Sequence, residues 1–97
     1  MIIANYEVIR QFSQKHARAK TSLATWYEFT LRAKWKKFDD VKKDFRSADI
    51  YKKCVIFNIG GNNYRLIANI NYRAEIVYIL TVMTHAEYDK EKWKGNC

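Results

Sequence analysis

The sequence predicts an α+β domain, with a helix pair packed on one face of a small, mainly antiparallel sheet. Three observations carry that reading. Apolar residues recur at helical spacing through the first third of the chain, the pattern becomes strand-like at Cys54, and two short polar turns then divide three β-rich runs. Ninety-seven residues, 48% of them hydrophobic, supply one core and not two, so residues 1–97 are expected to form a single domain.

Met1–Ala4 reads as a short edge strand, with Asn5 as the cap of a first helix. Val8, Ile9 and Phe12 share one helical face, and the helix ends near His16. Ala17–Ser22 is polar and basic enough for a turn. Leu23, Trp26, Tyr27 and Leu31 then form a second stripe, giving a helix over about 20–35 with Thr21 or Ser22 as its cap. Two such helices on a short connection form an antiparallel hairpin. Phe38, Val41 and Phe45 mark a brief helix around 39–45, where Asp39 and Asp40 precede Lys42 and Lys43 in the order that suits the helix dipole. A loop through Ser47–Asp49 follows.

Cys54–Ile59 is dense in β-branched and aromatic residues, and Gly60-Gly61-Asn62-Asn63 is a turn able to accept positive φ. Tyr64–Ile70 is the second strand. After a turn at Asn71 and Arg73–Glu75 comes the third, Ile76–Met83, whose apolar residues point both ways, as in a strand covered on both faces or central in the sheet. Thr84 then caps a polar helical turn, with Glu87 as its capping-box partner.

The charge is +8 and unevenly placed: Arg32–Lys53 carries nine basic and four acidic residues. A folded domain with such a patch attracts polyanions, and nucleic acid, an acidic protein and an anionic membrane surface are the three candidate partners. Lys34, Lys36, Lys37, Lys42, Lys43, Arg46, Lys52 and Arg73 are the candidate RNA-binding residues, against the plainer reading of a solvated face. Aromatic content of 15% with no proline argues against a disordered chain. No stretch approaches the roughly 20 apolar residues of a membrane span, and the amino terminus lacks a signal-peptide apolar region, so cytoplasmic residence is expected. The two cysteines and two histidines form no metal-ligand pattern. No cofactor is expected. Cys54 reads as a buried thiol and Cys97 as an unordered end residue, without a disulfide.

His85 is the sharpest chemical candidate. It stands where an apolar strand meets a polar turn, so the strand holds it while its imidazole reaches solvent, able to move protons near neutral pH. Arg65 shares a sheet face with Ile67 and Asn69. A guanidinium in an apolar strand needs an anionic or polar partner or an open cleft, so Arg65 is either a fixed phosphate clamp or, in the plainer reading, part of an internal salt bridge or on a solvent-exposed sheet face. Lys52 and Lys53 precede the first meander strand, whose end is expected to approach Arg65 and the final turn. Tyr88 is a candidate for stacking on a base or bonding a phosphate, and Asp89 for orienting His85. Gly60-Gly61 is a hairpin turn and not a phosphate loop, because the spacing and the Lys-Ser/Thr ending are missing. Trp26, Trp35 and Trp93 read as core or interface residues.

Val55–Ala68, with its Phe-Asn strand, Gly-Asn turn and Tyr64-Arg65, and Thr81–Asp89, with Thr84-His85-Ala86-Glu87-Tyr88-Asp89, together resemble the HigB group of RelE-type toxins from type II toxin-antitoxin systems. The resemblance implies a compact RelE-like fold, cleavage of mRNA at the ribosome, and neutralisation by a HigA-like helix-turn-helix antitoxin. It also implies catalytic roles for Arg65, His85 and Tyr88, less directly for Asp89, and an assisting one for Lys53. The implied chemistry is metal-independent attack of an RNA 2′-hydroxyl on its own phosphodiester. A non-catalytic nucleic-acid or ribosome-binding module is the alternative, and a small protein that binds an acidic partner is a third.

Overall fold

A computed structural model describes residues 1–97. Its strands are β1 (Ile2–Ala4), β2 (Asp49–Tyr51), β3 (Cys54–Ile59), β4 (Tyr64–Asn71) and β5 (Ile76–Thr84). The helices are α1 (Glu7–Lys15), α2 (Lys20–Arg32), α3 (Phe38–Asp44) and α4 (His85–Asp89), with 3-10 turns at Ala17–Ala19 and Lys92–Asn96. The expected α+β architecture is present. One five-stranded sheet has the order β1-β5-β4-β3-β2, antiparallel throughout except that β1 runs parallel to β5.

Alternation along the strands sorts their side chains into two cores. On one face Val55, Phe57, Ile59, Leu66, Ala68, Val77, Ile79 and Val82 pack against Ile9, Leu23, Trp26, Trp35 and Val41 from the helices. Phe57 lies at its centre, edge-on to Trp26 and Phe45 and stacked on Trp35. Fully burying one such side chain stabilises the fold by about 1.5–3 kcal/mol. On the opposite face Cys54, Ile56, Ile67 and Met83 are covered by Trp93. A bulge sets Ile67 against Thr81 but Ala68 against Ile79, leaving Leu80 as the extra residue. That insertion lets Ile79 and Val82, three apart, face the same core, and it explains why the apolar side chains of β5 point both ways.

Four expectations are corrected. Asn5 does not cap α1: it adopts φ 71° and its side-chain amide donates to the Ile79 carbonyl at 2.9 Å, pinning the β1–α1 corner to β5. Thr21 and Ser22 do not cap α2, which starts at Lys20 directly from the preceding 3-10 turn. Asp49 belongs to no loop, since Asp49–Tyr51 forms edge strand β2 against β3. Its pattern is too short to stand out in sequence, and pairing with β3 creates it. Finally, Cys54 and Cys97 are joined by a disulfide. The Lys92–Asn96 turn folds back over the sheet and brings two Cα atoms 43 residues apart in sequence to 5.5 Å, well within bridging range.

Candidate active site

The end of β5 is built with little freedom. Thr84 and Glu87 form the expected capping box: the Glu87 amide donates to Thr84 Oγ1, and the Thr84 amide donates to the Glu87 carboxylate at 3.1 Å. The backbone hydrogen bond from Thr84 holds the Glu87 carboxyl below its usual range. The next amide, that of His85, donates to the Asn63 carbonyl at 3.0 Å, which ties α4 to the β3–β4 hairpin. His85 Nδ1 lies 2.9 Å from Asp89 Oδ2, one helical turn on. That contact fixes the ring and leaves Nε2 facing outward from a side chain 41% exposed.

The hairpin needs its glycines. Gly60 and Gly61 take φ of 62° and 67°, and a Cβ on Gly60 would meet the Tyr64 ring at 3.4 Å and Ser22 Oγ at 3.5 Å. Arg65 locks the turn from beneath. It is only 7% exposed, and its guanidinium donates to the carbonyls of Asn62 and Tyr64 at 3.2 and 3.0 Å and to the Asn62 side chain. It also sits 5.0 Å from the centre of the Tyr88 ring. The polar partners that a guanidinium in an apolar strand requires are found within the chain, and Arg65 is a buried brace for the turn with its charge held under Tyr88. Tyr88 in turn stacks on Trp93 at 5.1 Å.

Above the sheet, on the side of Tyr64, a cavity of about 370 Å³ is lined by His16, Arg18, Gly60, Asn63, Tyr64, Thr84, His85 and Ala86. The connection between α1 and α2 thus supplies a second imidazole and a guanidinium to the cavity that His85 lines. Nothing in the sequence marks them: His16 ends one helix pattern, and only the packing of that helix end against the hairpin brings it here. The arrangement can bind a phosphate group and move protons around it. No cluster of three or more His, Cys, Asp or Glu side chains is placed to hold a metal ion.

The profile of the HigB toxin family, described as the RelE-like toxic component of a toxin-antitoxin system, matches residues 19–91. The chain belongs to that family. It is similar to the mRNA interferase toxin HigB of Escherichia coli K12, 32% identical over 92% of this chain and 88% of the relative. It is similar to the mRNA interferase HigB of Shigella flexneri to the same degree, and to that of Escherichia coli O6:H1 at 26% identity over 93% and 90% of the two chains.

Within this HigB family member the matched span includes Lys53, Arg65, His85, Tyr88 and Asp89, while His16, Arg18 and Trp93 lie outside it. The expected approach of Lys52 and Lys53 to Arg65 is corrected by the strand register. Cys54 pairs with Asn69, four residues along β4 from Arg65, or about 13 Å, and Lys53 lies beyond it. Both lysines line a groove with Ile70, Tyr72 and Tyr78 at the far end of the sheet. The end of α2 is held beside β1 by the Met1 amino group, which donates to the Ala33 carbonyl at 2.8 Å. Burial, and after it the charge of Asp40, pushes the Tyr72 hydroxyl above its ordinary range. Lys34, Lys36, Lys37, Lys42, Lys43, Arg46 and Arg73 are exposed. Lys42 also donates to the Ala48 carbonyl at 2.8 Å. Lys52 and Lys53 therefore lie at the end of the sheet opposite the β3–β4 hairpin and His85.

No helix is long and apolar enough to cross a membrane.

Proposed function

We propose that the chain is a ribosome-dependent endoribonuclease toxin that cuts mRNA without a metal ion, acts in the cytoplasm and is neutralised by a HigA-like helix-turn-helix antitoxin. The observation that carries the reading is His85, an imidazole oriented by Asp89 at 2.9 Å and mounted on a capped helix end beside a cavity able to take a phosphodiester. Family membership and the mRNA interferase activity for which the similar proteins are named support the choice of RNA.

In this reading the 2′-hydroxyl attacks its adjacent phosphorus, and Nε2 of His85 takes the hydroxyl proton while Asp89 keeps the ring aligned. The charge of Arg65, held in a buried setting where fields are strong, favours the developing phosphoryl anion from beneath the hairpin, and the Tyr88 ring packs on that guanidinium. Lys53 and the other basic residues of the segment grip the ribosomal RNA backbone and do not touch the reacting atoms. The ribosome supplies the in-line geometry that an 11.6 kDa protein has little surface to impose alone.

Mapping mRNA ends in a purified translation system tests this at matched ribosome occupancy. The wild-type chain is expected to give discrete cuts within translated codons, His85→Ala to slow them about 10²–10⁴-fold, and a matched strand lacking the attacking 2′-hydroxyl to stay intact. Equal cutting of the deoxy strand, or no cutting by a folded and ribosome-bound wild type, refutes the proposal.

A further inference from the structure

In-line transesterification needs two proton transfers on opposite sides of phosphorus, one at the attacking 2′-oxygen and one at the departing 5′-oxygen. A group within hydrogen-bond reach of one oxygen, about 3 Å, is out of reach of the other. His85 serves one of them, since Asp89 holds its Nδ1 and leaves Nε2 as the accepting nitrogen. The same cavity is lined by the second histidine of the chain, and its ring is as firmly placed as the first. His16 stacks on Phe12 with centroids 4.3 Å apart and packs against Tyr64 at 6.0 Å. It comes from a different element than His85, the end of α1, so the two imidazoles face the cavity from separate supports. Exposed Arg18, two residues on, lines the same cavity and is free of internal partners, unlike Arg65.

We infer that His16 is the general acid of the site, donating a proton to the leaving 5′-oxygen in the cavity that His85 also lines, with Arg18 holding a non-bridging phosphoryl oxygen. The inference rests on the endoribonuclease reading. The 2′-oxygen bonds to phosphorus as its proton passes to His85. The bond from phosphorus to the 5′-oxygen breaks, its electron pair stays on that oxygen, and protonated His16 supplies the proton. A 2′,3′-cyclic phosphate and a 5′-hydroxyl result, and exchange with water restores both imidazoles. Arg18, Tyr64 and His85 line the same cavity as His16. The Glu87 carboxyl is held low first by the Thr84 backbone hydrogen bond and, to a lesser degree, by the charge of His16.

A leaving group that departs without protonation separates this role from packing. Single-turnover cleavage is measured on ribosomes programmed with two mRNAs, identical except that one carries sulfur in place of the 5′-oxygen at the mapped cut. His16→Asn, with His16→Gln as the second variant, is expected to cut the oxygen substrate about 10²–10⁴-fold slower than wild type. On the sulfur substrate it should recover to within about tenfold of wild type, because a thiolate leaves without an acid. His85→Asn should stay impaired on both. Equal losses for His16 variants on the two substrates, or no loss on either, overturn the inference while leaving the endoribonuclease reading intact. A wild type that cuts neither substrate overturns both.

Discussion

Replacing Cys97 by serine removes the only covalent link between the carboxy-terminal turn and the sheet. The bridge spans 43 residues, and in the chain-entropy account a loop of that size restricts the unfolded state by about 4 kcal/mol at 25 °C. For a chain of this length 1 kcal/mol moves Tm by roughly 4–8 °C, so the loss corresponds to roughly 15–30 °C. Packing gives the turn a second hold, since Trp93 is 5% exposed, donates from Nε1 to the Tyr88 carbonyl at 3.0 Å and covers Ile56, Ile67 and Met83. The variant should therefore stay folded at 25 °C while melting far below the oxidised wild type. The assay is thermal unfolding by circular dichroism, with and without reductant, beside titration of free thiols. Oxidised wild type should show no reactive thiol and a reductant-sensitive Tm, whereas Cys97→Ser should melt at one temperature in both buffers. If the oxidised wild type and the reduced wild type melt within about 2 °C of each other, against a roughly 15–30 °C expectation, the loop-closure reasoning fails.

Thr84→Ala deletes the capping box and should cost about 0.5–1 kcal/mol in urea unfolding at neutral pH, the low end of the range because the site is exposed. The depressed pKa of Glu87 makes part of that stability pH-dependent: it is present above the usual carboxylate range and is lost as pH falls through the lowered folded-state value. The difference between wild type and variant should thus shrink in acid, and a constant difference would contradict the assignment. Changing Lys34, Lys36, Lys37 and Lys43 together to glutamine should weaken RNA binding at low salt and flatten the plot of log affinity against log salt by about 0.7–0.9 for each phosphate no longer neutralised. Because none of these lysines lines the cavity beside His85, single-turnover cleavage at saturation should hold, and a comparable fall in that rate would place the patch at the reaction centre.

Much of the site was legible in the sequence because its parts are local. His85 and Asp89 stand four apart and Thr84 and Glu87 three apart, so one short helix turn makes each pair. The hairpin was equally readable, since Gly60 and Gly61 occupy the positive-φ positions that a tight turn requires. The two faces of β4, with Leu66 toward the helices and Ile67 away, follow from strict alternation. What failed to show was everything resting on long separations: Asn5 reaching Ile79, Cys97 reaching Cys54, His16 reaching the cavity of His85, and Lys53 lying at the wrong end for Arg65.

The sequence by itself determined the period of the longer elements, and with it the α+β class, the faces of β3 and β4 and the pairing of His85 with Asp89 and of Thr84 with Glu87 at the end of β5. Those depend on neighbours within a few positions, where backbone geometry fixes distance. Only the tertiary structure decided that Arg65 braces a turn from beneath, that Tyr88 lies between Arg65 and Trp93, and that Lys52 and Lys53 sit at the far end of the sheet from Arg65. Strand register and the path of the connections set those relations. A one-residue change in register would move a side chain to the other face without altering the composition or periodicity of any segment.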